Sequence, residues 1–271
     1  MSPGRRAFSL IELLVVIAIT TLLVGVLVPS LGAARDTARE VQCLSQVRQL
    51  VTGWTLYAND SSGRAMPLHE PGRFSPPPPF GTGEREDEVY WFGAIGPDRV
   101  EYARGFLTPY LDAPHGAYSI YECPAQPWGS YTPQTAFDQP TSTYGYNGYY
   151  LSPAKTPGWR GSIASRPWQR LSTIVRPTEV MVFADTLIAL GARARSTALL
   201  DPPRLFDGGD WLENDSPTTC FRHAGRASAA HADGSAAAHQ PDRGAVYNGA
   251  FDIGSVSTEN APHYIPDARK W

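Results

Sequence analysis

Arg5-Arg6-Ala7-Phe8-Ser9-Leu10-Ile11-Glu12-Leu13-Leu14-Val15-Val16-Ile17-Ala18-Ile19 opens the stretch that decides the fold. From Leu10 to Val28 the 19 residues are dominated by Leu, Ile, Val and Ala, and Glu12 is the only charged side chain between Ala7 and Ala34. At ~1.5 Å rise per residue the run covers about 28 Å, roughly the thickness of a bilayer core. Arg5 and Arg6 stand directly before it, which holds the first residues in the cytoplasm and sends everything after about Pro29 outside. A carboxylate inside such a span costs roughly 2.5–3.5 kcal/mol at mid-bilayer, less near the interface, and ordinarily has a partner. The rival reading is a secretory signal cut after Ala34, with Gly32 and Ala34 as the small residues before the cut. Against it, the apolar run exceeds the ~7–15 residues of a signal core, and Glu12 lies within it.

The helix is expected to continue past the span. Pro29 lacks an amide hydrogen and its ring crowds the carbonyl of Gly25, so Gly25 and Pro29 make a weak point, read either as a kink or as a stop at the membrane surface. Helical signals resume after Ala33. Val41, Leu44, Val47, Val51, Trp54 and Ala58 recur at three- and four-residue steps, an apolar stripe that needs a surface to pack on. Asn59 to Gly63 then favour turns. The expectation is a leader over 1–7, one helix over 8–58, roughly 75 Å long, and a globular region over 59–271.

The 23 Lys and Arg against 26 Asp and Glu leave a net charge of −3, which argues against a nucleic-acid partner. Gly and Pro number 25 each, about 18% of the chain against roughly 12% in average proteins, so loops are long. One such loop runs to Glu88 and holds Pro76 to Pro79 and the charge run Glu84 to Glu88, read as solvated. Beyond it come short apolar segments: Val89–Phe92, Tyr102–Leu111, Tyr118–Cys123, Tyr144–Leu151, Ile174-Val175, Val180–Ala184 and a pair flanking Asp233-Gly234. They predict short antiparallel strands with one or two helical turns, and the fold class is α+β.

The opening residues closely resemble the class III leader of type IV pilins and type II secretion pseudopilins. The resemblance implies cleavage after Ala7 by prepilin peptidase, methylation of the new amine on Phe8, and a Glu at the fifth mature position, which Glu12 fills. Ala7 stands where the family usually carries Gly. The cationic amine of one subunit would pair with Glu12 of the next. In that family a Pro at the depth of Pro29 marks a kink that unwinds on filament entry. A second likeness lies in Cys220–His239, where His223 and Asp233-Gly234 are spaced like the H-X9-DG element of large pseudopilin-like proteins abundant in planctomycetes and their relatives. Leu44–Leu50, Tyr57–Asp60, Glu122-Cys123-Pro124, Ser142–Asn147 and Arg176–Asp185 are similar to segments found in the same order there. The family implies a pilin-like fold, a long helix packed on a small antiparallel sheet.

It further implies a non-enzymatic, single-pass inner-membrane subunit, with a cytoplasmic amino terminus and a periplasmic or otherwise extracytoplasmic head. Its expected partners are prepilin peptidase, other pseudopilin subunits, the inner-membrane platform of the secretion system and membrane lipid. No cofactor is expected, with a calcium site in a carboxy-terminal loop as the exception, for which Asp207, Asp210, Asp233 and Asp252 are candidate ligands.

Other chemistry is read from the residues themselves. Asp233-Gly234 is a dipeptide for a two-residue hairpin with both central residues at positive φ, and His223 is expected to clamp it. The Ala227–Ala232 strand is weak in propensity and thin in volume, so the hairpin is expected to be poorly buried. His223, His231, Asp233 and His239 are a zinc alternative, and His223, His231 and Asp233 the only basis for a hydrolase. Asp185 at a strand end reads as a turn cap. Tyr144, Tyr146, Tyr149, Tyr150, Trp159 and Trp168 form either the rim of the sheet or an aromatic binding surface, and the latter would make the protein a tethered binding module. Cys123 has Cys220 or Cys43 as a candidate disulfide partner, and the sequence does not choose.

Overall fold

The structure is a computed structural model that describes residues 9–71, 88–96, 98–111, 113, 115–117, 119–134, 139–153, 166, 168–207 and 210–270. Helix α1 spans Leu10–Asp60 and begins on a capping box. The Ser9 amide donates to Glu12 Oε2 at 2.8 Å, and the Glu12 amide donates to Ser9 Oγ at 3.3 Å. The helix continues through Pro29, so the reading of that residue as a stop is not what forms. Ser62 takes a left-handed φ of 58°, and the Gly63 amide donates back to the Ala58 carbonyl at 2.7 Å, closing the carboxy end.

The chain divides into two compact units, Met1–Ala38 and Arg39–Trp271. In the first, every large apolar side chain from Leu10 to Leu31 is exposed. Thr20, Thr21 and Ser30 donate their hydroxyls to carbonyls three or four residues back, which satisfies these polar groups within the helix. It is the one helix among the described residues long and apolar enough to cross a membrane.

In the second unit the strands follow in chain order: β1 His69–Pro71, β2 Glu88–Tyr90, β3 Gly93–Ile95, β4 Val100–Glu101, β5 Tyr144–Tyr146, β6 Met181–Asp185, β7 Ile188–Leu190, β8 Arg193–Arg195, β9 Arg204–Asp207, β10 Asp210–Glu213, β11 Thr219–Cys220, β12 Ala227–His231, β13 Ala236–His239, β14 Val246–Asn248 and β15 Ile253–Gly254. The named strands pair antiparallel, in one sheet ordered β1-β2-β3-β4, a central sheet ordered β13-β12-β6-β5, and smaller sheets beside them. A long helix with small antiparallel sheets is the α+β, pilin-like class. Of the expected segments Tyr102–Leu111 and Tyr118–Cys123, the described residues, 102–111 and 119–123, hold no strand, only 3-10 turns, turns and bends.

The second half of α1 packs Cys43, Val47, Leu50, Val51, Trp54 and Ala58 into one core with Trp91, Tyr146, Phe183 and Ala230. The apolar stripe is therefore rotated: Val41 is 62% exposed, while Cys43 and Leu50, outside the stripe, are fully buried. The other face of the central sheet packs Tyr149, Tyr150, Met181, Ala184, Ala227, Ala229 and Tyr264. Between the pairs Ala230↔Phe183 and His231↔Met181, Val182 is left unpaired in a bulge, so Val182 and Phe183 both enter the α1-side core.

Two expectations are overturned here. The hairpin is poorly buried only in its turn and β13; strand β12 is buried along its whole length, because aromatic side chains on both faces supply the volume that its alanines lack. The tyrosines 144, 146, 149 and 150 are core residues at 0% exposure rather than a binding surface; Trp168 is half-buried and Trp159 lies outside the described residues.

The turns also differ from expectation. At Asp233-Gly234 only Gly234 has positive φ, at 88°. The Gly234 amide donates to the His231 carbonyl and the His231 amide to the Ser235 carbonyl, a three-residue loop with a left-handed glycine. The two-residue turn with both φ positive sits instead at Ala224 (51°) and Gly225 (79°), closed by reciprocal bonds between His223 and Arg226. Arg226 then donates to Glu40 of α1 at 2.5 Å, tying that turn to the helix.

Candidate functional site

Ala7 and Phe8 lie outside the described residues. Glu12 is exposed in the first turn of α1, where its carboxylate accepts from the Ser9 amide and complements the positive end of the helix dipole. The Ser9-x-x-Glu12 spacing was a readable capping signal that a reading of Glu12 solely as an intersubunit partner passes over. Gly25 has nothing within 4 Å of the position a Cβ would take.

The densest chemistry is inside the second unit. Cys43 comes from α1, Cys123 from the bend before β5, Asp185 from the end of β6, and His223 from the turn that enters β12. Their ligand-type atoms all lie within 4.8 Å of one another, and all four residues are buried. The Cys43 and Cys123 sulfurs are 3.1 Å apart. His223 Nε2 is 3.2 Å from Cys123 Sγ and 3.4 Å from Asp185 Oδ2, and Cys43 Sγ is 3.4 Å from Asp185 Oδ1.

Neighbouring groups hold these four in place. The Ser228 amide donates to Asp185 Oδ2 at 2.8 Å, and Arg222 Nε lies 3.7 Å from Asp185 Oδ1. Arg222 itself donates to the Thr186 carbonyl at 2.8 Å. The Tyr144 hydroxyl is 3.1 Å from Cys43 Sγ and donates to Gln46 Oε1 at 2.7 Å. The Cys123 amide donates to Thr143 Oγ1 at 2.7 Å.

The electrostatics follow from this packing. Burial acts to raise the Asp185 carboxyl, but Arg222, His223 and the Ser228 amide outweigh it and hold the group below the usual carboxylate value. Burial, then the hydrogen bond with Cys123 and the Asp185 charge, push the Cys43 thiol well up. Burial also opposes ionisation of Cys123, yet the Cys43 hydrogen bond, with His223 and Arg222, brings that thiol down to about 7. A thiol next to an imidazole and a guanidinium is a competent soft ligand.

Several expected sites are not assembled. His223 reaches Cys123 and Asp185, not the Asp233-Gly234 hairpin, so it is no clamp on that turn. Asp233 instead accepts from the Ser235 amide and hydroxyl within its own turn. His231 Nε2 meets His239 Nε2 at 2.9 Å, but His223 is in the cluster above, so neither the zinc quartet nor the hydrolase trio forms. Of the calcium candidates, Asp207 and Asp210 are register partners across β9 and β10, Asp233 is in the β12–β13 turn, and Asp252 precedes β15. Asp207 and Asp210 thus share one sheet, Asp233 and Asp252 lie in other parts of the fold, and the one metal-type grouping among the described residues contains none of the four. Cys220 is buried with Tyr131, Leu187 and Ile253, and the thiol beside Cys123 is that of Cys43. Asp185 caps no turn; it is the carboxylate at the centre of the cluster.

Arg222 and Ser228 are the members that the sequence did not single out; Cys43 stood there only as a candidate disulfide partner and Tyr144 only among the aromatic residues. A signal existed. Glu122-Cys123-Pro124, Ser142–Asn147 and Arg176–Asp185 contribute Cys123, Tyr144 and Asp185, and the Cys220–His239 element contributes Arg222, His223 and Ser228, so the segments singled out separately meet at one point.

Residues 3–28 match the family model of the prokaryotic N-terminal methylation motif. No curated protein and no solved structure matches the chain. The match is confined to the amino terminus, where the chain is similar to the methylated, prepilin-type amino termini of type IV pilin-like proteins.

Proposed function

We propose that this chain is a non-enzymatic pseudopilin: a structural subunit that prepilin peptidase cleaves after Ala7 and methylates on Phe8, and that joins a type II secretion-like or type IV pilus-like filament. The observation that carries the reading is the methylation motif over residues 3–28 falling on the start of a helix whose large apolar side chains from Leu10 to Leu31 are all exposed. Such a surface has two solvents available, lipid before assembly and neighbouring helices after it. Glu12 would exchange its hold on the Ser9 amide for the Phe8 amine of an adjacent subunit, which neutralises both charges in an apolar setting.

The basic residues before the span favour an inner-membrane subunit with its amino terminus in the cytoplasm and residues 59–271 outside. Sister pseudopilins and the inner-membrane platform would be its partners. The likeness to large H-X9-DG proteins and the size of the head favour a minor, tip or lineage-specific subunit over a densely stacked one. The display alternative drew on an aromatic surface, and four of its tyrosines are core residues.

The test is Glu12→Leu in the native host. The expected variant is inserted and processed normally but missing from the sheared filament fraction. Equal recovery of variant and parent in filaments would refute the pairing.

A further inference from the structure

We propose that Cys43, Cys123, Asp185 and His223 form a closed structural site for one zinc ion, which fastens α1 to the central sheet. The donor set comes first. Two thiols, an imidazole and a carboxylate are the ligand types zinc takes in four-coordinate sites, and two sulfurs select against calcium and magnesium.

The spacing is close to what that set needs. Bonds of about 2.0–2.3 Å directed tetrahedrally place ligand atoms roughly 3.3–3.8 Å apart. With Asp185 Oδ2 as the oxygen ligand, the sulfurs are 3.1 Å apart, Cys123 Sγ and His223 Nε2 3.2 Å, His223 Nε2 and Oδ2 3.4 Å, and Cys43 Sγ and Oδ2 3.7 Å, with every ligand pair within 4.8 Å. Binding would part the sulfurs by about 0.6 Å. The sulfurs are well beyond the ~2.05 Å of a disulfide.

Charge is the second argument. Two thiolates and a carboxylate carry three negative charges in a site where every ligand residue is buried. A divalent ion and the adjacent Arg222 cancel them, so the filled site is neutral, which a buried site requires. The surrounding contacts are of the kind that orient ligands. The Ser228 amide holds Asp185 Oδ2, and the Tyr144 hydroxyl sits against the Cys43 sulfur. The ligands come from sequence positions as far apart as 43 and 223, so binding would close long loops of the chain.

The test uses the full-length chain in detergent, purified with reductant and without chelator, supplied with zinc chloride and desalted. Elemental analysis is expected to find about one zinc per chain, falling to near zero in Cys123→Ser and in Asp185→Asn and unchanged in His239→Ala. X-ray absorption on the unmutated protein is the second readout, independent of whether a ligand variant folds. It is expected to show two sulfur and two nitrogen or oxygen neighbours at about 2.3 and 2.0 Å. Three outcomes would overturn the proposal: no zinc retained, a Cys43–Cys123 disulfide recovered by peptide mapping of protein purified without reductant from its native envelope, or a zinc shell of nitrogens alone, which would place the ion at His231 and His239.

Discussion

Replacing Gly145 by alanine tests whether the approach of two chain segments beside β5 is as tight as it is drawn. A Cβ at Gly145 would lie 2.5 Å from the Leu199 carbonyl oxygen, 2.5 Å from Thr186 Cγ2 and 2.6 Å from the Leu199 carbonyl carbon. Ordinary contacts of this kind lie at about 3.5–4.0 Å, so something must move by roughly 1 Å. Neither side yields readily. The Tyr146 amide donates to the Ala198 carbonyl at 2.8 Å, and the Leu200 amide donates to the Tyr146 carbonyl at 2.9 Å. On its other edge β5 pairs with β6, Gly145 opposite Ala184. Overpacking against fixed backbone costs about 3 kcal/mol, and the loss of glycine's freedom in the unfolded chain returns somewhat under 1 kcal/mol. The net loss of about 2 kcal/mol lowers the melting temperature by roughly 4–8 °C for a domain of this size. Gly249→Ala is the control, since nothing lies within 4 Å of its added Cβ. Thermal unfolding of the full chain in detergent, followed by tryptophan fluorescence, reads both. If the two variants melt together, the argument from close approach is wrong.

His115 lies between the rings of Tyr102 and Tyr121, each centroid 4.3 Å away, with neither ring nitrogen hydrogen-bonded among the described residues. Burial pulls it down to about 3, so its contribution is complete above the unfolded value near 6.5 and is lost as pH falls from 6.5 toward 3. At pH 5 the parent should have lost about 2 kcal/mol relative to His115→Phe; parallel melting-versus-pH curves would remove that assignment. Leu50→Ala is expected to cost about 2–5 kcal/mol and Leu56→Ala, at a position 45% exposed, less than ~0.5 kcal/mol, both read by denaturant unfolding. Should both cost the same, the face of α1 that packs has been misassigned. A zinc chelator is expected to lower the melting temperature of the parent and leave Asp185→Asn unmoved.

Much of the architecture was written in local patterns. The apolar run, its single carboxylate and the turn residues after Ala58 predict one long helix, and alternation with Gly and Pro predicts short antiparallel strands. What escaped was set by tertiary packing. Val41 continues the stripe in sequence yet faces solvent, because the helix is rotated to bury Cys43 beside Cys123. Alanines in β12 read as a weak strand, but their small size is what lets rings close over both faces. Asp-Gly carried the two-residue hairpin expectation, while a two-residue turn with both φ positive formed earlier, at Ala224-Gly225, closed by the reciprocal bonds of His223 and Arg226 just before β12. No two of the cluster's four ligands are near in sequence, so the segments that carry them stood out one by one while their meeting point was set by tertiary packing.

The central claim is that the amino terminus is processed as a pilin. It is tested most directly by intact mass and amino-terminal sequencing of the protein recovered from its native membrane. The account predicts a chain beginning at methylated Phe8. A chain beginning at Arg35 would mean secretion of a soluble protein, and an uncut chain from Met1 would mean a static anchor; either result contradicts it.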